Sequence, residues 1–215
     1  NRVWVGLSKE TAHQLGTPIS SLTAWCEVLK ETYPSDVLLP EMEKDVKRLE
    51  RIAERFSKIG SIPEIHSENV VEVLDRVVTY MDKRTSSKVV FTTHFPKERM
   101  MVGLIPSLFE WVVENLMKNS LDALQGQGNI DVVVGESSDS VFVEVSDTGK
   151  GIAKSNWTRI FEPGYTTKTR GWGLGLSLSR RIIEEYHKGK IAVIRSEVGH
   201  GTTIRITLKR REGDE

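Results

Sequence analysis

Residues 115–124 read NLMKNSLDAL and residues 147–152 read DTGKGI. The first is the second half of a longer helical pattern, PSLFEWVVENLMKNSLDAL, with a Ser cap expected just after Pro106. The second closes a strand pattern, SVFVEVSDTG, whose alternation matches that of GNIDVVVGE just before it, as in neighbouring strands. Working outward, KVVFTTHF reads as a further strand and VVEVLDRVVTYM as an amphipathic helix. A glycine-rich stretch leads into the helix GLGLSLSRRIIEEYH. The last segment, KIAVIRSEVGHGTTIRITLK, reads as a hairpin with Gly-His-Gly at its turn. Mixed strands and helices of this kind predict an α+β sandwich with helices covering one sheet face.

The N-terminal part has a different period. Val5, Ser8, Ala12, Leu15, Ile19, Leu22, Cys26 and Leu29 follow a 3-4 spacing, which predicts a long helix with one apolar seam. TYPSD stops it and starts another, whose seam is Leu39, Met42, Val46, Leu49, Ala53 and Phe56. The apolar stripes of two such helices do not bury each other completely. Pairing two hairpins into a four-helix bundle completes the burial, so a homodimer is expected. GSIPEIHSEN reads as a linker. The expected domains are therefore 1–62, a helical hairpin, and 63–215, the α/β sandwich.

Composition narrows the function. The 215 residues carry 30 basic and 30 acidic side chains, a net charge of zero that gives no electrostatic footprint for nucleic acid or acidic lipid. A lone Cys26 has no internal disulfide partner and fits a reducing compartment, hence a cytoplasmic location. No apolar run approaches the roughly 20 residues that span a bilayer. The chain starts at Asn1 without methionine, so it is expected to be part of something longer.

Four segments then share one chemistry: NLMKNSLDAL, DTGKGI, FEPGYTTK and GWGLGLSLS. Asn115 and Asn119 lie on one helix face, about 40° apart, and present neutral amide oxygens; Asn119 suits a magnesium ion that also takes water and phosphate oxygens. Asp147, at a strand end, offers a carboxylate to the exocyclic amine of adenine, and Gly149 and Gly151 let backbone approach the ring. Gly171, Gly173, Leu174 and Gly175 precede a helix whose free N–H groups suit phosphate. Lys168 is a point charge for a terminal phosphate. ATP with Mg2+ is the expected ligand. Taken singly, each segment also has a plain reading: solvated amides, a turn between strands, a flexible loop.

In this order, the segments resemble the N, G1, F and G2 boxes of sensor histidine kinases, whose ATPase domain is shared with gyrase and the mismatch-repair ATPases. AHQLGTPISSL, residues 12–22, resembles their H box, on the first helix of a dimerisation and phosphotransfer hairpin. The resemblance runs from about Val5 to Lys209. It implies His13 as phospho-acceptor, Asp147 as the adenine-specifying acid, Asn119 as the magnesium ligand and Thr202 near adenine. It implies an ATP lid from Phe161 to Arg170, and Thr17 as the residue that orients water for dephosphorylating a partner response regulator. His13 lies one residue off the apolar seam, facing solvent. Pro18 removes the helical partner of the Gln14 carbonyl, so a bend is expected just after the histidine.

Two positions depart from the family's pattern. Gln14 stands where an acid usually follows the histidine, and an amide takes no proton at ordinary pH. Asp122 stands where many relatives place a basic residue, leaving Lys168 and Arg170 to supply positive charge. A gyrase-like ATPase would carry a water-activating glutamate where Asn115 stands, which argues against that reading. The expected function is autophosphorylation of His13 and transfer to an aspartate on a response regulator. The runner-up is a phosphatase-biased or ATP-sensing module held back by Gln14.

Overall fold

The computed structural model describes residues 2–60, 64–166 and 175–211, with side chains described for 10–57, 64–166 and 175–211. The chain divides into two compact units, Asn1–Glu64 and Ile65–Glu215.

The first unit is an antiparallel hairpin of α1 (Arg2–Thr32) and α2 (Leu39–Gly60). Between them the Asp36 carboxylate accepts the Leu38 N–H at 2.8 Å, an Asx turn that leads into α2. Ile19, Cys26, Val46 and Ala53 form its buried core, every second turn of the predicted seams. The alternate seam residues stay in water: Leu15, Leu22, Met42 and Leu49 are 38–45% exposed, and Trp25 beside them is 65% exposed. Thr23–Glu50 and Lys30–Glu43 contacts, both 2.8 Å, tie the helices at the rim. α1 continues through Pro18. The hydroxyls of Ser20, Ser21 and Thr23 bond back to the carbonyls of Gly16, Thr17 and Ile19 around it.

The second unit is a five-stranded sheet in the order β2-β4-β5-β7-β6, from β2 (Val89–His94), β4 (Gly128–Ser137), β5 (Ser140–Asp147), β6 (Lys190–Glu197) and β7 (Gly201–Lys209). Only β2 and β4 run parallel; the other neighbours are antiparallel. Alternation works as expected: Val141, Val143 and Val145 of β5 are buried, while Phe142, Glu144 and Ser146 lie on the half-exposed face. Helices α3 (Val70–Asp82) and α4 (Pro106–Leu124) cover the buried face, α4 across β4, β5 and β7. Helix α5 (Gly175–Arg181) runs into a wider π turn, Ile182–Tyr186, which packs on β6.

The structure corrects two expectations. A second, two-stranded sheet pairs β1 (His66–Asn69) with β3 (Met101–Leu104), and β1 falls inside the stretch read as a linker. Four residues are too few to display a full alternation, so neither strand declares itself in sequence. Helix α4 also starts without a side-chain cap: Ile105 is the N-cap residue and Pro106 the first helical position, so Ser107 already lies within the helix. The Ile105 N–H is satisfied from afar instead, donating to His187 Nε2 at 3.0 Å. His187 is 6% exposed, and its Nδ1–H donates to the Ile182 carbonyl at 2.9 Å, which fixes the tautomer.

Candidate functional site

A cavity of about 1100 Å3 opens in the second unit between α4, the end of β5 and the start of β7. It holds Asn115, Asn119, Asp147, Gly151, Gly175 and Thr202 of the predicted ligand set. Lys168, Gly171, Gly173 and Leu174 lie outside the described residues. So does the lid beyond Thr166; Tyr165 and Thr166, at its start, line the cavity.

Asp147 ends β5, where the strand stops and its carboxylate turns into the cavity. It accepts the Gly149 N–H at 2.9 Å, and the Ser120 hydroxyl and Thr202 N–H also bond to it. Burial pushes its carboxyl above the ordinary range, and these three donors oppose that rise. A half-buried carboxylate held in a fixed direction is suited to accept an amine N–H. Opposite it in the β5–β7 register stands Thr202. Its hydroxyl meets Ser196 Oγ at 2.8 Å, and Ser196 in turn accepts the Ile152 N–H at 2.7 Å. One hydroxyl network therefore ties β6, β7 and the turn after β5 behind the site.

Two glycines make this closure possible. Gly151 has φ +71°, and a Cβ there would sit 1.9 Å from the Glu197 carbonyl oxygen. Gly201 has φ +102°, and its Cβ would sit 1.9 Å from the Asp147 carbonyl oxygen. Gly149 serves differently from its expected role at the ring: it is buried, and the space without a Cβ is taken by Ala123 of α4.

Asn115 and Asn119 stand one turn apart on α4, as spaced in sequence. The Asn115 amide nitrogen donates to Ser179 Oγ at 3.4 Å, and this fully buried hydroxyl donates to the Gly175 carbonyl at 2.9 Å. Spending the nitrogen on α5 leaves Asn115 its oxygen for the cavity. Among the described residues, no three His, Cys, Asp or Glu side chains gather as a metal cage. A neutral amide oxygen such as that of Asn119 fits an ion carried mainly by phosphates and water, which is the chemistry of magnesium. Sequence reasoning passed over Ser120, Ser179 and two cations that line the cavity, Lys118 and Lys150. Lys150 sits inside the quoted DTGKGI. Its visible signal was a positive charge beside Asp147, where Asp122 removes one on α4.

In the first unit, His13 is exposed on α1. It lines a groove with Glu10, Gly16 and Thr17 and, from α2, Ala53 and Glu54. Gln14 points its amide nitrogen at Glu10 Oε1, 2.7 Å away.

A sandwich with a large open cavity, an acid at a strand end and paired amides on the covering helix defines an ATP-binding module. The model of the "Histidine kinase-, DNA gyrase B-, and HSP90-like ATPase" family matches residues 105–212, just over half of the chain, which belongs to that family. Sporulation kinase E of Bacillus subtilis (strain 168) is 30% identical over 221 residues, covering 97% of this chain and 29% of its own. The chain thus spans under a third of that relative's length. The nucleotide-free catalytic domain of histidine kinase ThkA superposes with a TM-score of 0.63 at 28% identity, covering 69% of this chain and 97% of that one. ThkA solved with the response regulator protein TrrA matches 96% of this chain and 61% of that one, with a TM-score of 0.63 at 23% identity. The ATP-binding unit is that of sensor histidine kinases.

Proposed function

We propose that this chain is the core of an ATP-dependent protein-histidine kinase that phosphorylates His13 and passes the phosphoryl group to an aspartate of a response regulator receiver domain. The observation that carries the reading is one chain holding both an exposed groove histidine and a cavity with the Asp147, Asn115 and Asn119 set. Asp147 reads adenine through its amine. Asn119 and Lys118, on α4, would meet the phosphates, with Lys168 and the glycines of 171–175 as further phosphate contacts. Bound with the nucleotide, magnesium would neutralise phosphate charge. The neutral imidazole of His13 supplies the nucleophilic lone pair, and most of the catalysis is positioning. Thr17, one turn further along the groove, is suited to orient a water for the reverse, phosphatase step.

ThkA is the relative solved with a response regulator, which supports the receiver as partner here. The water-facing seam of Leu15, Leu22, Met42 and Leu49 supports a homodimer through a four-helix bundle. The zero net charge supports neither nucleic acid nor an acidic membrane as partner. No helix among the described residues is long and apolar enough to cross a membrane. A cytoplasmic location fits the lone Cys26. A second reading, a phosphatase-biased or ATP-sensing module, is favoured by Gln14, whose amide takes no proton.

Incubation with magnesium and ATP labelled on the terminal phosphate tests the kinase reading. Acid-labile, base-stable label that disappears in His13→Ala is the expected result. ATP binding without label would shift the assignment to the second reading.

A further inference from the structure

We propose that Glu10 is the proton acceptor for His13, supplying from one turn earlier the carboxylate that position 14 lacks. The proposal rests on the kinase reading above. At about 100° per residue, Glu10 lies about 60° around α1 from His13 and about 40° from Gln14, so it stands between them. Helical side chains lean toward the N-terminus, so the imidazole of His13 leans over the turn that carries Glu10. Both residues line one groove, where the phosphate must arrive.

Gln14 then has a different task from an acid at its position. Its amide N–H donates to Glu10 Oε1 at 2.7 Å, which anchors the carboxylate to the helix surface. A carboxylate has about four acceptor sites, so this bond leaves capacity for an imidazole Nδ1–H. Holding the proton on Nδ1 frees the Nε2 lone pair for attack. From α2, Glu54 is the other carboxylate on the groove, and it is the competitor for this role.

The step balances. The Nε2 lone pair forms a bond to the terminal phosphorus as the bond from that phosphorus to the bridging oxygen breaks, and the electron pair leaves on ADP. The ring would be left with a positive charge. Its Nδ1 proton passes to the Glu10 carboxylate, giving a neutral phosphorylated imidazole and a carboxylic acid that then releases its proton to water.

The test compares Glu10→Gln, Glu54→Gln and Glu10→Gln/Gln14→Glu with the unsubstituted chain. We expect Glu10→Gln to slow autophosphorylation about 100-fold, in the range of a lost general base, with the ATP Kd unchanged. The double variant returns a carboxylate beside the ring and recovers rate. An unchanged rate in Glu10→Gln, or a larger loss in Glu54→Gln, overturns the proposal. A silent parent chain would mean that the kinase reading has failed, and a second measurement then decides the role of Glu10 alone. By 15N-edited NMR the neutral ring of His13 is expected as the Nδ1–H tautomer, reverting to Nε2–H in Glu10→Ala. An Nε2–H ring in the unsubstituted chain overturns the proposal whether or not phosphate is transferred.

Discussion

Asp147 keeps its carboxylate at a cost. Burial raises its pKa, which means the ionised form is disfavoured in the fold relative to the unfolded chain. The fold is therefore relieved as pH falls through that raised value, and the proposed contact to adenine would be lost with the charge. ATP affinity measured by calorimetry should decline on acidification at a higher pH than an ordinary carboxylate would allow. Asp147→Ala should weaken ATP about 10- to 100-fold, the worth of about 1.5–3 kcal/mol for a hydrogen bond to a charged group. His187 has the opposite sign. Burial lowers its pKa, the bond to Ile182 opposing, so its neutral form supports the fold above the ordinary histidine value of about 6.5. That support is lost as pH falls from there toward the folded pKa. His187→Phe orphans the buried Ile105 N–H and should cost about 1–3 kcal/mol, while flattening the pH dependence of thermal unfolding in that window. Motif-borne Asp147, Asn115 and Asn119 were legible because spacing alone puts them on one face or at a strand end. Ser179 and His187 were not, since their partners lie 64 and 82 residues away.

The elements that sequence revealed are those long enough to show their period. α1, α2 and α4 carry several turns of apolar spacing, and β5 carries a full alternation. β1 and β3 do not, and the start of α4 could not be read because Pro106 opens it with no side-chain cap at Ile105. The turn after β5 is where element geometry and binding meet. Gly151→Ala drives a Cβ into the end of β6 at a backbone angle that side chains resist. It should destabilise the second unit by about 1–3 kcal/mol, as overpacking does, and abolish ATP binding; urea unfolding and fluorescent-nucleotide titration measure the two effects. Gly201→Ala should do the same from the β7 side.

Taken whole, the chain buries its second unit's core completely and leaves its hairpin half finished. Val132, Val143, Phe109 and Ile206 are 0% exposed, whereas Leu15, Leu22, Met42 and Leu49 of the hairpin seam face water. Both facts were foreshadowed by periodicity, because a two-helix contact has one buried stripe to give and the sequence writes a wider one. Leu22→Glu with Leu49→Glu should leave the hairpin helical and convert a dimer to monomers by light scattering; a parent chain already monomeric would refute the bundle. The glycine at 151 has a consequence for inhibitors. Every other amino acid adds at least one carbon at a position that already touches the Glu197 carbonyl, so no conservative replacement exists there. A compound that rests on this part of the cavity wall meets a surface that resistance by substitution at 151 cannot reshape without losing the nucleotide as well.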